Sequence, residues 1–149
     1  MSAGGLHHVG LTVADLERSI HFYRDLLGLP VRERDEVTGG QLETVTGVAG
    51  SQVRIADLEF GNGRTLELTQ YLAPTGGAVH PRPSDAGHTH VGIEVNDIDA
   101  LYRQLVDAGV TVRSHPMVLE GAGPYWTGAK VVHVLDPDGI TVELVQMPR

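Results

Sequence analysis

Cysteine is absent from this 149-residue chain, which removes disulfide staples, thiolate metal sites and cysteine nucleophiles together. Any metal it takes up must be held by nitrogen and oxygen. Positive charge is scarce: 11 Lys and Arg against 19 Asp and Glu leave a net charge of −8, and no basic cluster offers a face for phosphates, which argues against a nucleic-acid partner. No apolar run approaches the ~18 residues that span a bilayer. Met1-Ser2-Ala3-Gly4-Gly5 also lacks a basic stretch ahead of an apolar core, so the expectation is a cytoplasmic protein with no membrane partner. Aromatic residues make up only 5%. What the chain does have is enough length for one ordinary domain, 19 glycines and eight histidines.

Several of those histidines recur in register. His8-Val9-Gly10-Leu11-Thr12-Val13-Ala14-Asp15-Leu16 lies beside His90-Val91-Gly92-Ile93-Glu94-Val95-Asn96-Asp97-Ile98 at an offset of 82, with seven of nine positions identical or alike in apolar type. Gly63-Arg64-Thr65-Leu66-Glu67-Leu68-Thr69-Gln70 matches Gly139-Ile140-Thr141-Val142-Glu143-Leu144-Val145-Gln146 at an offset of 76, with five of eight identical. Gly28-Leu29-Pro30-Val31 and Gly109-Val110-Thr111-Val112 match between them at 81. One unit has been written twice. The arithmetic gives a single domain over 1–149, with module one at about 5–73, a Pro- and Gly-rich linker at 74–87 and module two at about 88–147,.

Each copy reads β-α-β-β-β. His8 to Val13 alternates with Val9, Leu11 and Val13 on one face, as a half-buried strand does. Asp15 then caps a helix whose apolar stripe is Leu16, Ile20, Tyr23 and Leu27, ended by Gly28, with Phe22 and Tyr23 expected in the core,. In the second copy Asp97 caps, Ile98, Leu101, Leu105 and Ala108 form the stripe, and Gly109 stops it. Three more strands follow in each: Leu29–Arg34, Val53–Phe60 and Thr65–Tyr71, then Val110–Ser114, Lys130–Leu135 and Thr141–Gln146. Gly61-Asn62 and Pro137-Asp138-Gly139 signal hairpin turns.

The alternation sets His8, Glu67, His90 and Glu143 on the face away from the helices. A carboxylate between apolar strand neighbours is costly unless it is paired or binds a cation. Singly, each of the four reads as a solvated strand end. As a matched quartet they have one common explanation, an N2O2 site for a divalent metal (Ni, Zn, Co, Mn or Fe) at a pseudo-twofold centre. His88, two residues before His90, shares its expected face. His133, opposite Val142 if the last hairpin is regular, is expected on the other side. Tyr71 shares the face of Glu67, and the Gly-rich stretch Gly121–Gly128, with Tyr125 and Trp126, reads as a lid or pocket wall,.

At these residues the chain resembles the vicinal oxygen chelate superfamily, which contains glyoxalase I, methylmalonyl-CoA epimerase, extradiol dioxygenases and bleomycin-resistance proteins. The motifs that carry it are His8-Val9-Gly10-Leu11, Leu26-Leu27-Gly28-Leu29, Thr65-Leu66-Glu67-Leu68, His90-Val91-Gly92-Ile93 and Asp136-Pro137-Asp138-Gly139 with Val142-Glu143-Leu144. The resemblance implies an α+β fold of tandem βαβββ modules, a cupped mixed sheet around one metal held by His8, Glu67, His90 and Glu143. It also implies a small-molecule substrate chelated through two neighbouring oxygens, and a homodimer. The His, Glu, His, Glu order favours a glyoxalase-type lyase or isomerase that moves a proton next to a carbonyl, with Glu143 or Glu67 as base. An extradiol-type dioxygenase and a non-catalytic antibiotic-binding protein stay open beside it. The stretch Gly47–Gln52 lacks the acidic residue expected there of an epimerase, Glu43 being the nearest carboxylate upstream, and the arginines are too scattered to announce a glutathione site.

Overall fold

The glutamine that closes each repeat explains how strand and helix are joined. In the computed structural model, which describes residues 4–61 and 63–148, Gln70 Oε1 accepts from the Leu16 N–H at 3.1 Å and Gln146 Oε1 from the Ile98 N–H at 2.8 Å. Each amide thus satisfies one of the orphan donors at a helix start and pins that helix to the last strand of its own module. The aspartates one residue earlier complete the caps: Asp15 accepts from the Arg18 N–H and Asp97 from the Ala100 N–H,.

The chain divides into two compact units, one up to Ala78 and one from Val79 onward. The first contains β1 (His8–Thr12), α1 (Leu16–Ile20), β2 (Val31–Thr38), α2 (Gln41–Thr46), β3 (Gln52–Glu59) and β4 (Thr65–Ala73). Its sheet has the order β1-β4-β3-β2, with β1 parallel to β4 and the other pairs antiparallel. The second contains β5 (His90–Glu94), α3 (Ile98–Asp107), β6 (Met117–Val118), β7 (Lys130–Leu135) and β8 (Thr141–Gln146), in the order β5-β8-β7-β6, with β5 parallel to β8. The two units repeat one topology, as the offsets require. No helix among the described residues is long and apolar enough to cross a membrane. Met1–Ala3, part of the leader reading, and Asn62 of the first expected hairpin lie outside the described residues.

In each unit one sheet face is apolar and covered by the helix. Leu11, Leu58, Leu66 and Leu68 are buried beneath Leu16, Ile20 and Tyr23 in the first; Val134, Val142 and Leu144 are buried with Ile98 and Leu105 in the second. The opposite faces carry the polar residues, and there the sites are built.

Three local expectations are corrected, and one element is added. The first helix is not α-helical to Leu27: from His21 to Leu26 it widens into a π-helical turn, with Leu27 N–H bonded to the Phe22 carbonyl,. The wider turn lets the adjacent Phe22 and Tyr23 both face the core, edge to face at 4.9 Å. β2 starts two residues later than Leu29 and runs on to Thr38, its charged outer half held by Arg54 to Glu36 at 3.0 Å across the ladder. The stretch Val110–Ser114 forms only a single bridge, Val112 to Val134, and the strand beside β7 is the short Met117–Val118. The connection from β2 to β3, to which the sequence pattern assigned no element, contains α2. Gly47 ends it with φ +71°, the left-handed turn that glycine adopts without strain,.

Candidate functional site

Parallel pairing of the first and last strands places a glycine beside each conserved-by-repeat glutamate. Gly10 is the register partner of Glu67 and Gly92 that of Glu143. A Cβ at Gly10 would stand 3.7 Å from Glu67 Oε1, and one at Gly92 would stand 3.8 Å from Glu143 Oε2. Any longer side chain there would cover the carboxylate. Both glutamates sit between buried neighbours, Leu66 and Leu68 or Val142 and Leu144, yet are themselves only part-buried.

In the second unit Glu143 lies between two imidazoles. His90 Nε2 is 3.5 Å from Oε2, His133 Nε2 is 3.4 Å from Oε1, and the two rings are 5.7 Å apart. The Glu143 side chain is only 19% exposed. These separations are longer than the best N–H···O bonds.

His133 therefore faces the same side as Glu143, against the expectation from a regular hairpin. The reason is the turn. The Asp136 carboxylate, buried, accepts from the Asp138 and Ile140 N–H groups, so the loop takes in residues 136–140 and pairs Leu135 with Thr141. That register sets His133 against Glu143 rather than Val142, and a slip of one residue exchanges the faces of a strand. The same position in the first unit, opposite Glu67, is Asp57.

In the first unit Glu67 is part-buried and accepts from Thr69 Oγ1 at 3.3 Å. His8 is exposed at the start of β1, with its Nδ1 2.9 Å from His7 Nδ1. Beside Glu67 a cavity of about 240 Å³ is lined by Thr12 of β1, Thr69 and Tyr71 of β4, and Val53 and Ile55 of β3. Its outer wall is α2, which contributes Leu42 and Thr46, four residues apart and so on one helix face,. The sequence reading missed that wall because Gln41–Thr46 is too short for a periodic signal. Glu43 turns out to be structural: its Oε1 accepts from the Gly50 N–H at 3.0 Å and helps close the α2–β3 turn.

The remaining candidates stand apart from these groups within their own unit. His88 Nε2 is 3.2 Å from Thr141 Oγ1. Tyr125 and Trp126 meet edge to face in the β6–β7 connection, 69% and 36% exposed. That connection is the repeat counterpart of the one containing α2. Among the described residues, no group of three or more His, Asp or Glu side chains is gathered closely enough to hold a metal ion. The donor set nonetheless suits one chemically, with imidazole nitrogen and carboxylate oxygen at matched strand positions in both units.

Comparison with known proteins gives these geometries a context. A family model described as the Glyoxalase/Bleomycin resistance protein/Dioxygenase superfamily matches residues 5–144. A 2-epi-5-epi-valiolone epimerase of an Actinomyces species is 33% identical over 150 residues, covering 98% of this chain and 81% of that protein. A probable lactoylglutathione lyase of Vibrio cholerae is 28% identical, covering 98% and 93%. The crystal structure of a glyoxalase family protein from Bacillus cereus superposes with a TM-score of 0.86 at 23% identity, covering 98% and 95%.

Proposed function

We propose, from the premise that this chain belongs to the Glyoxalase/Bleomycin resistance protein/Dioxygenase superfamily, that it is a metal-dependent lyase or isomerase of glyoxalase type that moves a proton next to a carbonyl of a small molecule. The observation that carries this is the repeated construction of Glu67 and Glu143, each half-buried in its strand and each left open by a glycine opposite. Relatives named as an epimerase and as lactoylglutathione lyases support the reaction class. His8, Glu67, His90 and Glu143 would hold one divalent ion, Ni, Zn, Co, Mn or Fe. When bound it would polarise the substrate carbonyl and make the neighbouring C–H acidic.

The two glutamates then have different surroundings. Glu143 is flanked by His90 on one oxygen and His133 on the other, which fixes its carboxylate in place,. Glu67 looks onto the cavity, with the Thr69 hydroxyl on Oε1, so it is the carboxylate that, once displaced from the ion by substrate, would take a proton from a carbon held there,. Tyr71 walls that cavity, and Tyr125 and Trp126 would close the second module's side by the same logic as α2. The same reading makes the protein a cytoplasmic homodimer, like the superfamily members that the sequence resembles.

A second reading, an extradiol-type dioxygenase, draws on one feature: Glu143 has an imidazole beside each oxygen, His90 and His133, the residue types of the two-imidazole, one-carboxylate sites of iron-dependent oxygen chemistry, though they are not gathered as a metal site among the described residues,. Elemental analysis of protein purified without chelator or histidine tag, beside a Glu67→Ala, Glu143→Ala double variant, tests both. About one equivalent of metal, absent from the variant, is expected, together with solvent deuterium entering a carbonyl substrate. Oxygen consumption without deuterium uptake would select the second reading, and failure to take up any metal on titration would leave a binding protein.

A further inference from the structure

His7 and His8 are consecutive, and consecutive side chains of extended backbone usually point apart. Their rings instead meet edge to face, with centroids 5.2 Å apart and planes at 86°, and Nδ1 of one lies 2.9 Å from Nδ1 of the other. Two bare nitrogens, or two protonated ones, would repel at that distance, so one carries the hydrogen and the other accepts it. A neutral imidazole has a single N–H, which couples the two rings. If His8 donates, its Nδ1 holds the proton and its Nε2 is bare. If His7 donates, His8 Nδ1 is occupied as acceptor and its proton sits on Nε2, so neither nitrogen of His8 is left for an ion.

We infer that His7 is a positioning residue for the metal site: it accepts from His8 Nδ1–H and so holds His8 in the tautomer whose Nε2 is bare, an inference that rests on the metal reading above. The second unit shows which nitrogen this repeat position turns toward its carboxylate, since His90 has Nε2 3.5 Å from Glu143 Oε2. The residue before His90 is Thr89, so the paired imidazoles belong to the first unit alone. Which nitrogen of a histidine carries the proton is set by the hydrogen bond made at the other, and ligating imidazoles regularly give their second N–H to an acceptor. His8 has particular need of one. Its ring is exposed, and an imidazole free in water prefers the proton on Nε2, the nitrogen an ion would need.

The test uses the full chain, first without metal. Long-range proton–nitrogen correlation spectra of isotope-labelled protein at about pH 8.5, where imidazoles are neutral, are expected to show His8 with Nδ1 protonated and Nε2 bare. His7→Phe keeps a ring and removes the acceptor, and is expected to return His8 to the Nε2–H form. Co(II) affinity, measured by competition with a chromophoric chelator, should fall about 10- to 100-fold in that variant. His7→Asn puts an amide oxygen where Nδ1 stood and is expected to restore both the tautomer and the affinity. Circular dichroism confirms that the variants are folded. An Nε2–H His8 in the parent, indifference of tautomer and affinity to His7→Phe, or no rescue by His7→Asn would overturn the inference. So would paramagnetic shifts on the His7 ring of Co(II)-loaded protein that mark it as a ligand itself. Failure of the metal reading looks different: the tautomers respond as expected to both substitutions, but the parent takes up no Co(II).

Discussion

His133 shows how much one side chain changes between sequence and structure. Its Nε2 lies against the Glu143 oxygen that His90 does not face, so it acts on the site through the carboxylate, as a positioning residue. His133→Phe removes that partner and keeps a ring of similar bulk against His90. Metal affinity, measured by competition with a chromophoric chelator, is expected to fall about 10- to 100-fold, while the circular dichroism spectrum stays that of the parent. Unchanged affinity would take His133 out of the site. Asp57, its counterpart, faces Glu67 across the first hairpin and supplies a carboxylate where His133 supplies an imidazole. The repeat is thus symmetric in its glutamates and asymmetric in what stands beside them.

At the scale of elements, both helices depend on capping groups that the repeat preserves. Asp97→Ala removes the acceptor for the Ala100 N–H and is expected to cost about 1 kcal/mol. Gln146→Leu would orphan the Ile98 N–H, a part-buried donor, at about 1–3 kcal/mol. Urea titration followed by circular dichroism measures both, and no change in midpoint for either would refute the capping argument. The segment between β4 and β5 is tied by a different device. Arg82 donates from its guanidinium and its backbone N–H to Asp85, and these bonds hold the Asp85 carboxyl below the usual carboxylate range. A depressed folded pKa means that the stabilisation is fully present above ~3.9, the unfolded value, and is lost as pH falls through the folded one. The protection factors of the Asp85 and His88 amides, whose N–H groups bond back within this turn, should therefore fall only in the acid range, and a fall near neutrality would contradict that.

At the scale of the whole molecule, the proposed ligands come from both repeats, two from each. Metal binding should then stabilise the chain as a whole. At a hundredfold excess over Kd the gain is about 2.7 kcal/mol, roughly 5–10 °C in Tm for a chain of this length. Differential scanning calorimetry with and without a chelator is expected to show that shift in the parent and to lose it in Glu143→Gln and His90→Ala. A shift retained in both would place the metal elsewhere.

The sequence by itself determined the duplication, the βαβββ order, the caps at Asp15 and Asp97 and the matched glutamates. Those follow from local propensity, periodicity and self-similarity, which are written residue by residue. It could not determine which face His133 takes, because that depends on whether the last turn closes over four residues or five. Two hydrogen bonds to a buried Asp136 settle that count, and each added residue reverses a face. Nor could it show the cavity wall. Leu42 and Thr46 belong to a six-residue helix between glycines, too short to be stable alone, and only its packing beside the sheet brings them over Glu67.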